Sequence, residues 1–395
     1  MSTGTSTGTR QVVAVVMLCH FIAAFAALGM PPFFALILQR SLHNDVPWLA
    51  GAFYVVPTLL AAVSAPWWGR LADRFGKKPL LMRAQLGLAA SFLLASYATN
   101  SLTFLAALVL QGVLGGTFSA SNAYLATVAS GTTLTRSLTA MQWSARAALV
   151  AAPACLGLWM GAESPIVLYR WLALLPLAAA ALIAWLPASD AASVAKRAAA
   201  PTGDTSAAAP ATARQIYVLQ FAFVFATVVT FPYFIPDIQQ RMPAISAAKA
   251  GLLFGLPHLV YLATAPLLSR RLGLAPSLGL LATAYGTLVI TLLAQAAPLG
   301  LPALVAWRLL MGTAMTVGFI ALHALVASVV HAGNAGRTFG WFESSSKWGG
   351  VVAGLAAGAT VSLAGQRTPY LFGAALLAPA VAYLLLTAKQ RMSTL

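Results

Sequence analysis

Residues 51–70, GAFYVVPTLLAAVSAPWWGR, return in altered form as residues 251–270, GLLFGLPHLVYLATAPLLSR. Gly51, Pro57, Ala65, Pro66 and Arg70 recur as Gly251, Pro257, Ala265, Pro266 and Arg270, an offset of 251 − 51 = 200 at each position. The same offset joins Pro32, Phe34 and Gln39 to Pro232, Phe234 and Gln239, and Gly112 to Gly312. At 337 − 136 = 201, Arg136, Gln142 and Arg146 answer to Arg337, Glu343 and Lys347. Alanine matches are cheap in so Ala-rich a chain, but prolines and charges held in register across four segments are not. The chain is read as two related halves.

Composition decides the solvent. Of 395 residues, 60% are hydrophobic and only 8% charged, against about 25% charged in a soluble globule. A chain this long and this apolar has no water-soluble solution, so the surroundings are lipid. The net charge of +16 would suit a nucleic acid if its basic residues formed one patch. They lie instead in short loops between apolar runs, so no nucleic-acid partner is expected. Cys19 and Cys155 sit inside apolar runs and imply no disulfide framework.

Runs near span length cover roughly 12–38, 48–69, 79–97, 102–129, 138–161, 165–186, 215–236, 250–268, 276–296, 301–330, 338–363 and 369–388. The first is too long for a cleavable signal and reads as a retained helix. Backbone amides in hydrocarbon must pair within their own segment, so each run is read as a helix. The expected fold is an all-α membrane protein with twelve transmembrane helices in two six-helix bundles, residues 1–186 and 215–395. Residues 187–214, rich in Ala, Pro, Ser and Thr, read as a flexible linker. Parallel repeats of this kind imply an axis along the membrane normal and a solute path between the halves.

Lys and Arg set the orientation. Arg10, Arg70, Arg74, Lys77, Lys78, Arg83, Arg136, Lys196, Arg197, Arg214, Arg270, Arg271, Arg337, Lys389 and Arg391 fall on one side, with Arg40, Arg170, Arg241, Lys249 and Arg367 on the other. The positive-inside rule then puts both termini in the cytoplasm, as expected for an inner-membrane protein.

After the second span stands Gly69-Arg70-Leu71-Ala72-Asp73-Arg74-Phe75-Gly76-Lys77-Lys78-Pro79. It closely resembles the cytoplasmic loop signature of the major facilitator superfamily, G-x-L-a-D-r-x-G-r-k. With the duplication, the resemblance covers the whole chain and looks closest to the twelve-helix drug/proton antiporter branch, which includes multidrug and siderophore exporters. It implies a conformational latch made of Gly69, Asp73, Arg74, Gly76 and Lys77. Asp73 would face the positive end of the eleventh span near Gly336 and Arg337. The second copy, Ser269-Arg270-Arg271-Leu272-Gly273, lacks the acid, so such a latch is one-sided. The branch's arginine in the fourth span is replaced by Leu108, and only Arg308 in the tenth span is charged. Its glycine-rich fifth-span signature survives as Ala152-Pro153 and Leu156-Gly157. Gly76-Lys77 lacks the spacing of a phosphate loop, so energy is expected from a gradient, without a cofactor or metal.

Charges inside the spans mark the candidate site. Arg146 and Lys347 each lie ten residues beyond the basic residue that opens their helix, Arg136 and Arg337, roughly 15 Å deep. A charge there costs roughly 2.5–3.5 kcal/mol or more and normally faces a polar cavity. Gln142, Trp143, Tyr124 and Arg308 join them as candidate cargo-binding residues; Arg308 either snorkels outward or faces the cavity. Glu343 precedes Lys347 by four residues, so it either carries a coupled proton or neutralises its neighbour. Of the histidines in spans, His20 and His258 read as structural, while His323 lies on a helix that lines the path in this family. Asp237 reads as the partner of Arg241. Three cations against one acid bias the cavity positive, which favours an anionic cargo. Pro32, Pro57, Pro153, Pro232 and Pro257 mark helix bends.

The expected function is proton-coupled export of a small organic, anionic solute by a monomer, with protons and the lipid bilayer as its other partners. An importer of an organic acid is the alternative. A membrane enzyme or sensor would need a catalytic cluster or soluble domain, and the sequence shows neither.

Overall fold

The computed structural model describes residues 3–128, 131–161, 164–187, 211–272, 277–329 and 335–393. The linker expected at 187–214 therefore lies outside the described residues except at its ends. Nine helical segments among the described residues are long and apolar enough to cross a membrane.

The first half contains α1 (Thr3–Gly29), α2 (Phe34–Ser41), α3 (Trp48–Phe75), α4 (Lys77–Ser96), α5 (Ser101–Leu114), α6 (Thr117–Val128), α7 (Gly131–Leu156), α8 (Leu168–Leu172) and α9 (Leu174–Ala184). The second contains α10 (Ala213–Val228), α11 (Phe234–Arg241), α12 (Ala247–Leu272), α13 (Leu278–Ala296), α14 (Leu301–Ala327), α15 (Ala335–Ala364) and α16 (Thr368–Ser393).

Four runs expected as single helices are broken. In the first, a 3-10 turn at Pro31–Phe33 separates α1 from α2; the two prolines have no N–H for the helical ladder. In the seventh, Pro232 cannot bond back to the Val228 carbonyl, which accepts from the Phe231 N–H at 2.8 Å instead, and α11 restarts at Phe234. The helices after these breaks begin at Phe34 and Phe234, so the duplication extends to the breaks themselves. In the sixth run, Pro176 leaves the Leu172 carbonyl without its helical donor, and α8 ends there. In the fourth run, α5 stops at Leu114 and α6 begins at Thr117, with Gly116 between them at φ +83°. That conformation is open to glycine and strained for other residues.

Contacts divide the chain into two compact units, residues 1–45 with 56–200, and residues 46–55 with 201–395. Helix α3 thus contributes its first turns to the second unit. Within the first unit α1 packs on α7, and α4 on α9; within the second, α10 packs on α15, and α13 on α16. A Cβ added at Gly112 would lie 2.8 Å from the Pro57 carbonyl oxygen and 2.7 Å from the Leu60 Cβ. At Gly312 the same atom would lie 2.9 Å from the Pro257 oxygen and 2.7 Å from the Val260 Cβ. One glycine-to-proline crossing is therefore built twice, by the residues that the offset of 200 pairs.

Large apolar residues point outward, with Trp185 89% and Leu363 86% exposed. This is the arrangement expected where the solvent is hydrocarbon. Hydroxyls inside the helices return to their own backbone, as Thr316 does to the Gly312 carbonyl (2.8 Å) and Thr264 to that of Val260 (2.7 Å).

Candidate functional site

The loop motif is positioned by a tight turn. Helix α3 ends at Phe75, and Gly76 turns the chain into α4 at φ +94°, a backbone that requires glycine. Two basic residues beyond it close helix ends. Lys78 donates to the carbonyls of Ala184 (2.9 Å) and Leu186 (2.5 Å) at the end of α9. Arg83 donates to Leu114 (2.5 Å) and Gly115 (3.3 Å) at the end of α5, and its guanidinium lies 3.5 Å from the centre of the Trp68 ring. Trp68 in turn donates to the Val113 carbonyl at 2.6 Å. The break in the fourth span is thus capped by a cation and an indole, complementing the negative end of α5. A role in topology alone does not account for these contacts. The motif's Arg74 lies 5.2 Å from the Phe75 ring. At Gly69 an added Cβ would meet no described atom within 4 Å. The side chains of Asp73, Arg337 and Glu343 lie outside the described residues.

On α7, Gln142 is exposed, Trp143 and Arg146 half-buried. Gln142 and Arg146 are four apart and share a face. On α15, Lys347 is half-buried, and three residues on, an added Cβ at Gly350 would meet nothing described within 4 Å. Other small residues of that helix serve packing. Gly349 lies against the α10 backbone, with Phe221 oxygen 2.9 Å from an added Cβ, and Gly354 against Val55 and Tyr54. Gln220 on α10 donates to Ser346 Oγ (2.6 Å) and to the Phe342 carbonyl (3.1 Å). His323 on α14 is exposed, its ring centroid 6.1 Å from that of Phe319.

Two candidates prove committed elsewhere. Tyr124 is fully buried among Val16, Leu81, Met141 and Ile183, and its hydroxyl donates to the Pro187 carbonyl at 2.9 Å. It is a packing residue, since its hydroxyl satisfies the chain end of the sixth span. Arg308 is also buried. Its Nε donates to the Leu253 carbonyl (2.9 Å), its Nη2 to the Phe254 carbonyl (2.5 Å), and its guanidinium lies 4.3 Å from the centre of the Phe234 ring. Leu253 is the residue whose helical donor Pro257 removes. Arg308 therefore neither snorkels nor opens onto a cavity: it supplies the hydrogen bond that a proline took away. The proline and the arginine lie 308 − 257 = 51 residues apart in the chain, so only the α12–α14 crossing reveals the connection.

Asp237 pairs with Arg241, as the sequence suggests (Nη2 to Oδ2 2.7 Å, Nε to Oδ1 2.9 Å), and Tyr370 donates to it at 3.1 Å. Arg241 also donates to the carbonyls of Gln295 and Ala297, tying α11 to the end of α13. His20, read from sequence as structural, is buried with neither ring nitrogen hydrogen-bonded among the described residues.

Duplicated bundles of apolar helices, with cations inside two matched spans, define a multi-pass helical membrane protein. A family model described as Major Facilitator Superfamily matches residues 16–293, and the chain belongs to that family. The Multidrug resistance protein MdtG of Yersinia enterocolitica is 37% identical over 111 residues, a stretch covering 28% of this chain and 27% of that protein. The MdtG of Enterobacter lignolyticus is 36% identical over 111 residues, with the same coverage. The match thus spans about a quarter of these relatives' length. Among solved structures, the human organic anion transporter MFSD10 superposes with a TM-score of 0.69 at 20% identity, covering 95% of this chain and 99% of that one. The nucleoside transporter NupG gives a TM-score of 0.76 at 13% identity, with the same coverage. At these identities the likeness concerns the fold.

Proposed function

We propose that this chain is a twelve-span inner-membrane exporter that exchanges a small organic anion for protons by alternating access, with both termini cytoplasmic. The observation that carries the reading is the pair Arg146 and Lys347. They occupy matched positions of the two repeats, both are half-buried, and both are too deep for a cation without a polar task. Gln142 shares the Arg146 face, and Trp143 offers an aromatic neighbour. The MdtG relatives are named for multidrug resistance, which supports export over the alternative of organic-acid uptake. Glu343, four residues before Lys347, is the proposed proton carrier, with His323 beside the path. The loop motif, Asp73 with Gly69, Arg74, Gly76, Lys77 and Arg337, is the proposed cytoplasmic latch. A carboxylate siderophore has the charge that this arrangement favours.

Substrate counterflow tests the cargo site. Arg146→Ala should lower exchange of an anionic cargo at least tenfold in protein that remains monodisperse; unchanged exchange removes Arg146 from the site. Everted vesicles with a pH-sensitive dye test coupling, with the cargo-evoked proton leak expected to disappear in Glu343→Gln.

A further inference from the structure

The first unit encloses a set of polar atoms that nothing described satisfies. His20 on α1 is 3% exposed and both its ring nitrogens lack a hydrogen-bond partner. Its ring centroid lies 5.1 Å from that of Phe118 on α6. One turn further along α6, on the face that Phe118 begins, come Ser121 and Asn122. Ser121 Oγ and Asn122 Oδ1 are buried and without partners. From α4, the fully buried Gln85 donates its Nε2 to the carbonyl of Cys19, the residue next to His20, at 3.3 Å, and its Oε1 is left without a donor. Orphaned polar atoms are rare singly and each is costly. Here they lie on α1, α4 and α6, three helices that pack on one another.

Their chemistry is complementary to a proton. Gln85 Oε1 and Asn122 Oδ1 can only accept. A neutral imidazole has one N–H to give, and an imidazolium has two. We propose that His20, Gln85, Ser121 and Asn122 form a proton-binding chamber inside the first bundle, with His20 as the group that takes the proton. Hydronium gives its proton to the free ring nitrogen and leaves as water, and release is the reverse. The two amide oxygens accept the two N–H bonds, and Ser121 can serve a water at the same place. The spans of this half contain no acid in sequence, since Asp45, Asp73 and Glu163 all lie at loops or span ends. His20 is thus the titrating group suited to neutral pH that this bundle places inside it.

The elements packed on α1 are α4, α6, α7, α9 and the Pro31–Phe33 turn. Their charged or titratable residues are Lys77, Lys78 and Arg83 on α4, Tyr124 on α6, and Arg136, Arg146 and Cys155 on α7; α1 itself adds Arg10 and Cys19. Lys78 and Arg83 are engaged with helix-end carbonyls.

The chamber stands apart from transport, but its use as a coupling site rests on the proposed antiport. The test uses the full-length protein in nanodiscs with histidine labelled with ¹³C and ¹⁵N, titrated over about pH 5 to 8. His20→Gln assigns the signal by its loss. The wild-type His20 signal should move from the neutral to the doubly protonated form across this range. Asn122→Leu and Gln85→Leu should each weaken proton binding about tenfold while the His323 signal keeps its own titration. A His20 signal that stays neutral throughout, or one indifferent to both leucine variants, overturns the proposal. Proton flux in vesicles is read separately. If the wild type moves no protons with cargo, the antiport reading fails and the titration still decides the chamber. If it does move them, His20→Gln should reduce the leak severalfold.

Discussion

Arg308 shows how little a buried cation reveals of its task before its neighbours are known. Its donors meet the Leu253 carbonyl that Pro257 leaves unpaired, and the Phe254 carbonyl beside it. Replacing it with methionine keeps the volume and strands two acceptors, so Arg308→Met should lower stability by about 2–4 kcal/mol. Pro257→Ala restores an N–H to Leu253, so the same substitution in that background should cost measurably less. A thermal-unfolding double-mutant cycle reads the difference, and strictly additive losses would refute the repair. The contrast with the first half is instructive. The equivalent position is Leu108, buried and apolar, although Pro57 sits in register. The duplication fixed the proline, while the arginine stands at this position in the second half alone.

At the scale of the element, the glycines separate into two kinds. Gly112 and Gly312 lie where two helix backbones touch, and an added Cβ would fall within 3.0 Å of proline backbone atoms in both halves. Alanine at either should cost about 1–3 kcal/mol through overpacking, whereas Gly350→Ala, facing open space, should leave the melting temperature unchanged. Equal penalties in the two halves would follow from the repeat, and a penalty at one position alone would contradict it. The break in the fourth span is the second element with a consequence. Arg83 holds two carbonyls at once while stacking on Trp68, a geometry that a lysine ammonium cannot reproduce. Arg83→Lys should therefore lower thermal stability nearly as much as Arg83→Met. A lysine variant of wild-type stability would mean that charge alone suffices. Apolar periodicity runs unbroken through residues 102–129, so the break was not legible as a loop. The adjacent Gly115-Gly116 was its one local signal, and glycine pairs are common in membrane helices.

For the whole molecule, orientation is the feature that the loops predict most directly. A green fluorescent protein fused after Leu395 should fluoresce, and an alkaline phosphatase at the same place should be inactive, if the proposed orientation, with both termini cytoplasmic, is right. The opposite pattern would invert the assignment and with it the direction of every proposed flux.

The sequence alone was enough for the solvent, the helical class, the two-fold repeat and the family. Each follows from a requirement that acts locally along the chain: backbone amides in lipid must pair within their own segment, and duplicated prolines and charges keep their spacing. Tertiary structure decided what the polar side chains do. Arg308 and Tyr124 look like cargo ligands by type and depth, yet they answer carbonyls that other segments leave open. His20 looks like an ordinary core histidine, yet no described residue answers it. Hydrogen-bond satisfaction is a property of neighbours in space, and in a helical membrane protein those neighbours come from spans far apart in the chain.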